Sequence, residues 1–170
     1  MAFEIRYAAR EDLPQVNELR SQVNLLHAEG RPDIFRPGFC EELRERVYAE
    51  FEGEDSDVIV AVSGGTVRGF LIAQYIRRPE SPYCHPREFY RVEEFGVSPA
   101  YRRQGIGRAL IAFCAEEAKK KGFSKMELDV WEFNENARKF YKAVGFRTYR
   151  RYMEVDVPQC PGCDAIEEYL

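Results

Sequence analysis

Apolar residues recur along the first half of the chain with two spacings, one typical of helices and one of strands. Residues 12–27 and 40–51 carry an apolar side chain every three or four positions, which predicts two amphipathic helices. Short apolar runs predict strands, and the sequence Ser-Gly-Gly-Thr at residues 63–66 predicts a hairpin turn between two of them. The predicted strands are residues 3–8, 58–62, 67–76 and 90–97.

The second half contains the most regular pattern of the chain. Ile106, Leu110 and Cys114 fall on one stripe of a long helix, and Gly122 is placed to end it. Alternation of Met126 with later apolar residues predicts the next strand. The elements after the long helix are a strand at 125–131, a short helix at 134–145, and strands at 146–150 and 152–157.

The order of these elements limits the fold. It reads β-α-α-β-β-β-α-β-α-β-β, with a strand-helix-strand crossover over residues 90–131. A crossover makes its two strands parallel, whereas the hairpin at residues 63–66 makes its strands antiparallel. The sequence therefore predicts an α/β (α+β) fold with a mixed, mostly antiparallel twisted sheet of about seven strands and about four helices.

Length and charge narrow the class of protein. With 170 residues the chain has room for one ordinary domain, predicted as residues 1–157 with a short tail at 158–170. The net charge of −4 argues against a dedicated nucleic-acid binder. The longest apolar run, Ala109 to Ala115, is far too short to span a membrane, and the N-terminus resembles no signal peptide. We expect a cytoplasmic protein.

The five cysteines do not form a disulfide framework, because their number is odd and their spacing irregular. Cys160 and Cys163 form a single CxxC pair near the C-terminus. A zinc site would normally need two more ligands, and none stands nearby at metal-binding spacing. We expect no metal, although a redox or metal role for this pair and a pair of free thiols both stay open.

A glycine-rich segment follows the strand that ends at Val97. It reads Arg-Arg-Gln-Gly-Ile-Gly-Arg over residues 102–108. Glycines let a phosphate approach the backbone, and the first amides of a helix have no internal partner. The segment therefore predicts a diphosphate site, although a surface-exposed helix start could carry the same residues. A Walker loop would need Lys-Ser/Thr after Gly107, and a dinucleotide fingerprint would need a small residue where Leu110 stands.

The segment from Val97 to Leu110 closely resembles the acetyl-CoA-binding motif of the GCN5-related N-acetyltransferases, the GNAT family. The family pattern Arg/Gln-x-x-Gly-x-Gly/Ala is met by Arg102, Gly105 and Gly107. A second signature of the family follows as residues 134–146. Two motifs in order with strands between them make a specific resemblance, strongest over residues 90–146.

The resemblance implies acetyl-CoA as the co-substrate and a sheet whose central parallel strands splay apart to hold it. The pyrophosphate would lie on the backbone amides of the glycine-rich segment, and the pantetheine arm would bond to the backbone of β-strand residues 95 and 97. The implied cofactor-binding residues are Phe95, Val97, Arg102, Arg103, Gln104, Gly105, Ile106, Gly107, Arg108, Asn134, Ala137 and Tyr141.

Acetylation of an amine requires two groups that transfer protons. A base removes a proton from the amine, and an acid donates one to the departing thiolate. Glu93 and Glu94 lie on the strand beside the implied thioester, and because strand residues alternate, only one should face the cleft. The resemblance favours Glu93 as general base, with Glu94 as a substrate contact or a solvated charge. Tyr141 stands at the position of the family's general acid, where it could also be a core aromatic residue.

The acceptor site implied by the resemblance lies around the first two helices and the loop before the central strand, where the candidate residues are His27, Glu29, Phe35 and Tyr83. The sequence thus predicts an N-acetyltransferase acting on a small-molecule or peptide amine by direct attack. A non-catalytic acyl-CoA-binding module, another acyl group and a hydroxyl acceptor stay open as alternatives. The resemblance also makes a homodimer paired through the C-terminal strands possible.

Overall fold

The computed structural model describes residues 2–156, so the predicted tail, with Cys160 and Cys163, lies outside the described residues. Helices and strands follow the predicted order through the last helix, with 3-10 turns at Arg10–Asp12 and Pro99–Tyr101. The elements are β1 (Glu4–Tyr7), α1 (Leu13–Gly30), α2 (Glu41–Glu52), β2 (Ser56–Ser63), β3 (Thr66–Arg78), β4 (Arg87–Val97), α3 (Ile106–Lys120), β5 (Met126–Leu128) and α4 (Glu135–Ala143).

Helix α3 shows how the local sequence sets the bounds of an element. Gly105 has a φ of +86°, a left-handed conformation that favours glycine, and the helix begins at the next residue. The predicted stripe of Ile106, Leu110 and Cys114 is buried, and Gly122, with a φ of +87°, follows the last turn. None of the helices within residues 2–156 combines the length and apolar character that crossing a membrane requires.

The five strands form one sheet in chain order, from β1 to β5. The first four are antiparallel neighbours, whereas β4 and β5 are parallel because α3 carries the chain back between them. Both faces of the sheet are covered. Helices α1 and α2 pack on the face that carries Val60 and Ile72, and α3 packs on the face that carries Leu71 and Tyr90.

The two strands predicted after α4 are not formed within the described residues, so the sheet has five strands rather than about seven. Residues 147–156 are all exposed, so the segment does not bury every second side chain as a strand on a core would. The neighbouring strand β5 is only three residues long and offers a short edge for pairing. The segment is held by side chains instead, as where the Tyr149 hydroxyl donates to Glu127 Oε2 at 2.7 Å. The mixture of apolar and charged residues in this segment is a misleading strand signal, because a strand also needs a neighbour to pair with.

Candidate functional site

Strand β4 continues beyond the last residue that pairs with β5, and we call the space beside its residues 93–97, which do not pair with β5, the opening. The parallel pairing of the two strands stops where Val92 lies opposite Leu128, yet β4 continues to Val97. Within the described residues, the β5-facing edge of residues 93–97 therefore has no strand partner. Backbone amides and carbonyls on such an edge can pair with an extended ligand as with an added strand.

The opening begins at a β-bulge in β4. Ile72 pairs with Glu94 and Ala73 pairs with Val92, which leaves Glu93 as the extra residue. Paired residues share a face of the sheet, so Glu94 lies with Ile72 on the α1 side, and Val92 lies with Ala73 on the α3 side. The bulge interrupts the strict alternation on which the sequence prediction for the two glutamates was based.

The two glutamates have different partners. Glu93 Oε2 lies 2.9 Å from Arg91 Nε, and the same guanidinium also reaches Asp129 Oδ2 at 2.7 Å. Glu94 accepts two hydrogen bonds from the buried Arg20 of α1, at 2.8 and 2.7 Å. Both carboxylates are thus paired at the α1 side of the sheet. Glu93 shares its arginine with Asp129, whereas Glu94 accepts both of its hydrogen bonds from Arg20.

The start of α3 lies after the free end of β4 and presents unpaired amides. No backbone carbonyl within residues 2–156 accepts from the amides of residues 104–108, whereas Ala109 N donates to Gly105 O at 3.0 Å. The orphan amides carry the positive end of the helix dipole, and three arginines add charge there. These are Arg102, Arg103 and Arg108, all exposed. The segment has the composition of an anion site.

Gly107 lies in close contact with two aromatic rings. A Cβ built at this position would lie 3.2 Å from both Phe95 Cζ and Phe140 Cζ. These two rings are stacked with centroids 5.4 Å apart and an interplanar angle of 7°. The glycine therefore lets α3 start directly against the pair of rings that joins β4 to α4.

Tyr141 lies in an apolar setting beside this pair of rings. Its ring centroid is 6.0 Å from Phe95, 5.4 Å from Phe140 and 5.7 Å from Phe146. Burial alone raises the pKa of the Tyr141 hydroxyl to about 12, because the apolar surroundings disfavour the phenolate. The hydroxyl is therefore protonated throughout the neutral range.

Four rings from separate parts of the chain meet on the α1 side and form what we call the aromatic cluster: His27, Phe35, Trp131 and Phe133. Each ring contacts two others, with centroids 5.2 to 6.4 Å apart. Burial lowers the pKa of His27, and the charge of Glu94 opposes this in part. Gly30 permits the packing, since a Cβ there would lie 2.3 Å from the Phe133 ring.

Two acceptor candidates are not part of the aromatic cluster. Glu29 is exposed on the last turn of α1. Tyr83 is 91% exposed on the loop between β3 and β4, at the end of β4 that lies away from the opening. The structure thus brings together two of the four predicted acceptor residues, His27 and Phe35.

The remaining predicted cofactor contacts hold the loops in shape. Asn134 Oδ1 accepts from Ala137 N at 3.2 Å and caps α4, as its position in the sequence indicated. Arg102 Nε donates to the Val97 carbonyl at 3.2 Å, and Gln104 Nε2 donates to Ala100 O at 3.2 Å. These bonds connect the glycine-rich segment to the end of β4.

Sequence reasoning missed the arginines that pair with the glutamates. Arg20 stands on the apolar stripe of α1, four residues after the buried Val16, and a charge on a buried stripe was the available signal. Arg91 carried no comparable signal, because its role depends on the bulge and on the register with β5.

A mixed sheet that opens beside a glycine-rich helix start, with free amides at that start, defines a protein of the acetyltransferase class. The chain belongs to the GNAT acetyltransferase family, because a sequence model of that family, described as Acetyltransferase (GNAT) family, matches residues 25–146.

Individual relatives support this membership. Glucosamine 6-phosphate N-acetyltransferase of Trypanosoma brucei brucei is 38% identical over 66 residues, which cover 39% of this chain and 43% of that protein. The chain thus spans less than half the length of this curated relative. The solved structure of a tetramutant of BH1408 protein from Bacillus halodurans has a TM-score of 0.86 and 30% identity, covering 91% of this chain and 99% of that one.

A further solved structure is similar in fold. Aminoglycoside N-acetyltransferase AAC(6')-Iy, determined in complex with CoA, has a TM-score of 0.73 at 21% identity, covering 91% of this chain and 94% of that one.

Proposed function

We propose that this protein is an acetyl-CoA-dependent N-acetyltransferase that moves an acetyl group to a primary amine by direct attack in a ternary complex. Glu93 is the general base and Tyr141 the general acid. The observation that carries the proposal is the opening between β4 and β5 next to the free amides of α3. That arrangement offers an extended edge for pantetheine and an anion site for pyrophosphate within one cleft.

Acetyl-CoA binds mainly through the backbone in this proposal. The amides of residues 104–108 receive the pyrophosphate, and residues 95 and 97 of β4 pair with the pantetheine amides. An amide near Val97 polarises the thioester carbonyl, so negative charge that develops on its oxygen meets a fixed dipole. The CoA-bound fold neighbour is consistent with this cleft as the cofactor site.

Two observations favour Glu93 over Glu94 as the base. Glu93 is the extra residue of the bulge and directly follows the last residue of β4 that pairs with β5. Its only partner among the described residues is Arg91, which is itself one-third exposed and shared with Asp129. Both oxygens of Glu94 already accept hydrogen bonds from one buried arginine.

The proton balance assigns the two groups to successive steps. Glu93 takes a proton from the ammonium, the free amine attacks the thioester carbon, and the carbon–sulfur bond breaks. Tyr141 donates a proton to the departing thiolate. The nitrogen loses its second proton when the amide forms, and this proton makes up for the one that Tyr141 donated. One proton is released overall, with the amide and free CoA as products.

Thiol release from acetyl-CoA, measured with putrescine, lysine, glucosamine 6-phosphate and an alanine-initiated peptide, tests the proposal. We expect turnover with at least one amine, and Glu93→Gln should lower kcat by about 10²–10⁴ and remove the acid limb of the pH–rate profile. Glu88→Gln, on the exposed start of the same strand, is the matched control. Tight acetyl-CoA binding without any turnover would contradict the proposal and indicate a non-catalytic binding module.

A further inference from the structure

Arg20 is a buried cation whose hydrogen bonds reach three elements, α1, α2 and β4. Its side chain is 3% exposed, although arginine is rarely buried to this extent without a full set of partners. Nη1 donates to Asn17 Oδ1 at 2.8 Å and to the Leu43 carbonyl at 2.6 Å. Nε and Nη2 donate to the two carboxylate oxygens of Glu94, at 2.8 and 2.7 Å.

The bond to Glu94 is a two-point contact between planar groups. Such a pair fixes direction as well as distance, which a single contact to a lysine would not do. The other end of the guanidinium is fixed by α1 and α2, and Phe39, in the loop before α2, lies under it at 5.5 Å. Glu94 is therefore held in one orientation by three elements, whereas Glu93 depends on a partly exposed arginine.

Glu94 keeps capacity for one more donor. A carboxylate offers about four lone-pair positions, and Arg20 uses two of them. The Glu94 side chain is still 29% exposed, next to the bulge and beyond the last residue of β4 that pairs with β5. An ammonium group has three donors and can bind such a fixed carboxylate without waiting for it to reorganise.

We propose that Glu94 is the residue that binds and orients the acceptor ammonium, and that Arg20 is the positioning residue that holds Glu94 for this purpose. The inference rests on the proposed acetyltransferase function and assigns a different role to each of the two glutamates. Glu93 moves the proton and determines kcat, whereas Glu94 binds the amine and determines its KM.

A double-mutant cycle tests whether Arg20 acts through Glu94. Steady-state kinetics are measured for Glu94→Gln, Arg20→Met and the double variant, with whichever amine of the panel the unsubstituted protein turns over fastest. We expect each single variant to raise the KM of the amine at least tenfold, with the KM of acetyl-CoA and the pH–rate profile unchanged. In the Glu94→Gln background, Arg20→Met should then add no further increase, because the group through which it acts is gone.

Arg44→Met is the matched control. Arg44 lies over the same Phe39 ring, at 5.3 Å, but makes its ion pair with Glu41 and is half-exposed. Its removal should leave both KM values unchanged. If Arg20→Met fails to fold, Arg20→Lys replaces it in the cycle, since it keeps the charge and loses only the two-point contact.

The outcomes separate the two proposals. Absence of turnover by the unsubstituted protein overturns the proposed function and this inference with it. Turnover with an unchanged amine KM in Glu94→Gln overturns the inference alone. Additive effects of Arg20→Met and Glu94→Gln would show that Arg20 only supports the packing of α1 against α2. Dead-end complexes of CoA with the amine, measured by calorimetry, should show the same pattern in affinity.

Discussion

Replacing Tyr141 with phenylalanine removes one oxygen atom from an apolar setting and should separate turnover from stability. The ring keeps its contacts with Phe95, Phe140 and Phe146, because these involve carbon atoms only. Burial is the sole cause of the raised pKa, so no hydrogen bond from residues 2–156 holds the hydroxyl. The substitution should therefore leave the free energy of unfolding unchanged or raise it by up to about 1 kcal/mol.

The effect on turnover follows from a comparison of pKa values. Against an ordinary thiol pKa of about 8.5, a phenol at about 12 would be a poor donor, since the gap of roughly 3.5 units corresponds to about 5 kcal/mol. Burial acts on thiols as well, however: it raises the pKa of the Cys114 thiol in this protein to about 12. Burial should act in the same direction on a thiolate that leaves beside Tyr141 and reduce the gap, so loss of the donor should cost about 10²–10⁴ in kcat.

The assay is thiol release under saturating acetyl-CoA, together with thermal unfolding of the same samples. Tyr149→Phe is the control, because Tyr149 is exposed and its hydroxyl binds Glu127 outside the cleft. A Tyr141→Phe variant with full kcat would refute the acid role. A variant that loses both kcat and several degrees of melting temperature would show that the hydroxyl is structural.

Two further predictions concern stability. Gly105→Ala should lower the free energy of unfolding by about 1 kcal/mol, because alanine is disfavoured at a φ of +86°. A Cβ at this position meets no atom within 4 Å, so the backbone conformation is the only cause. Thermal unfolding measures the loss, and an unchanged melting temperature would contradict the prediction. The lowered pKa of His27 means that the unfolded chain binds more protons as the pH falls through about 6.5, so stability should be lost below that pH. Urea unfolding at pH 5 and 7.5 should show a smaller loss for His27→Asn than for the unsubstituted protein, whereas His85→Asn, at an exposed site, should behave like the latter.

The parts of the fold that the sequence predicts well are those decided by neighbouring residues. The bounds of α3 follow from Gly105, from an apolar stripe and from Gly122, all within one local segment. The cap of α4 by Asn134 is equally local. The same holds for the free amides at the start of α3, because a helix start leaves them unpaired without information from the rest of the chain.

The parts that the sequence did not predict depend on pairing between distant segments. Nothing in the consecutive residues Glu93 and Glu94 indicates which one the bulge will leave unpaired, since the register with β3 decides this. The burial of Arg20 depends on α2 and β4 both reaching it. The absence of the two predicted strands from the described residues after α4 has the same origin, because the pattern of residues 146–156 specifies a strand only if β5 provides an edge long enough to pair with it.

The bulge in β4 links the fold to the proposed chemistry. In a regular strand, residues two positions apart lie on the same face, so Val92 would lie on the α1 side together with Glu94. Val92 would then leave the α3 core in which it packs. One extra residue lets Val92 and Phe95 both stay on the α3 side while two consecutive carboxylates stand between them. Pairing with β5 stops at Val92, immediately before that residue. The same local irregularity thus lies next to the opening and places two acidic groups there, one held by the buried Arg20 and one paired with Arg91, which also binds Asp129.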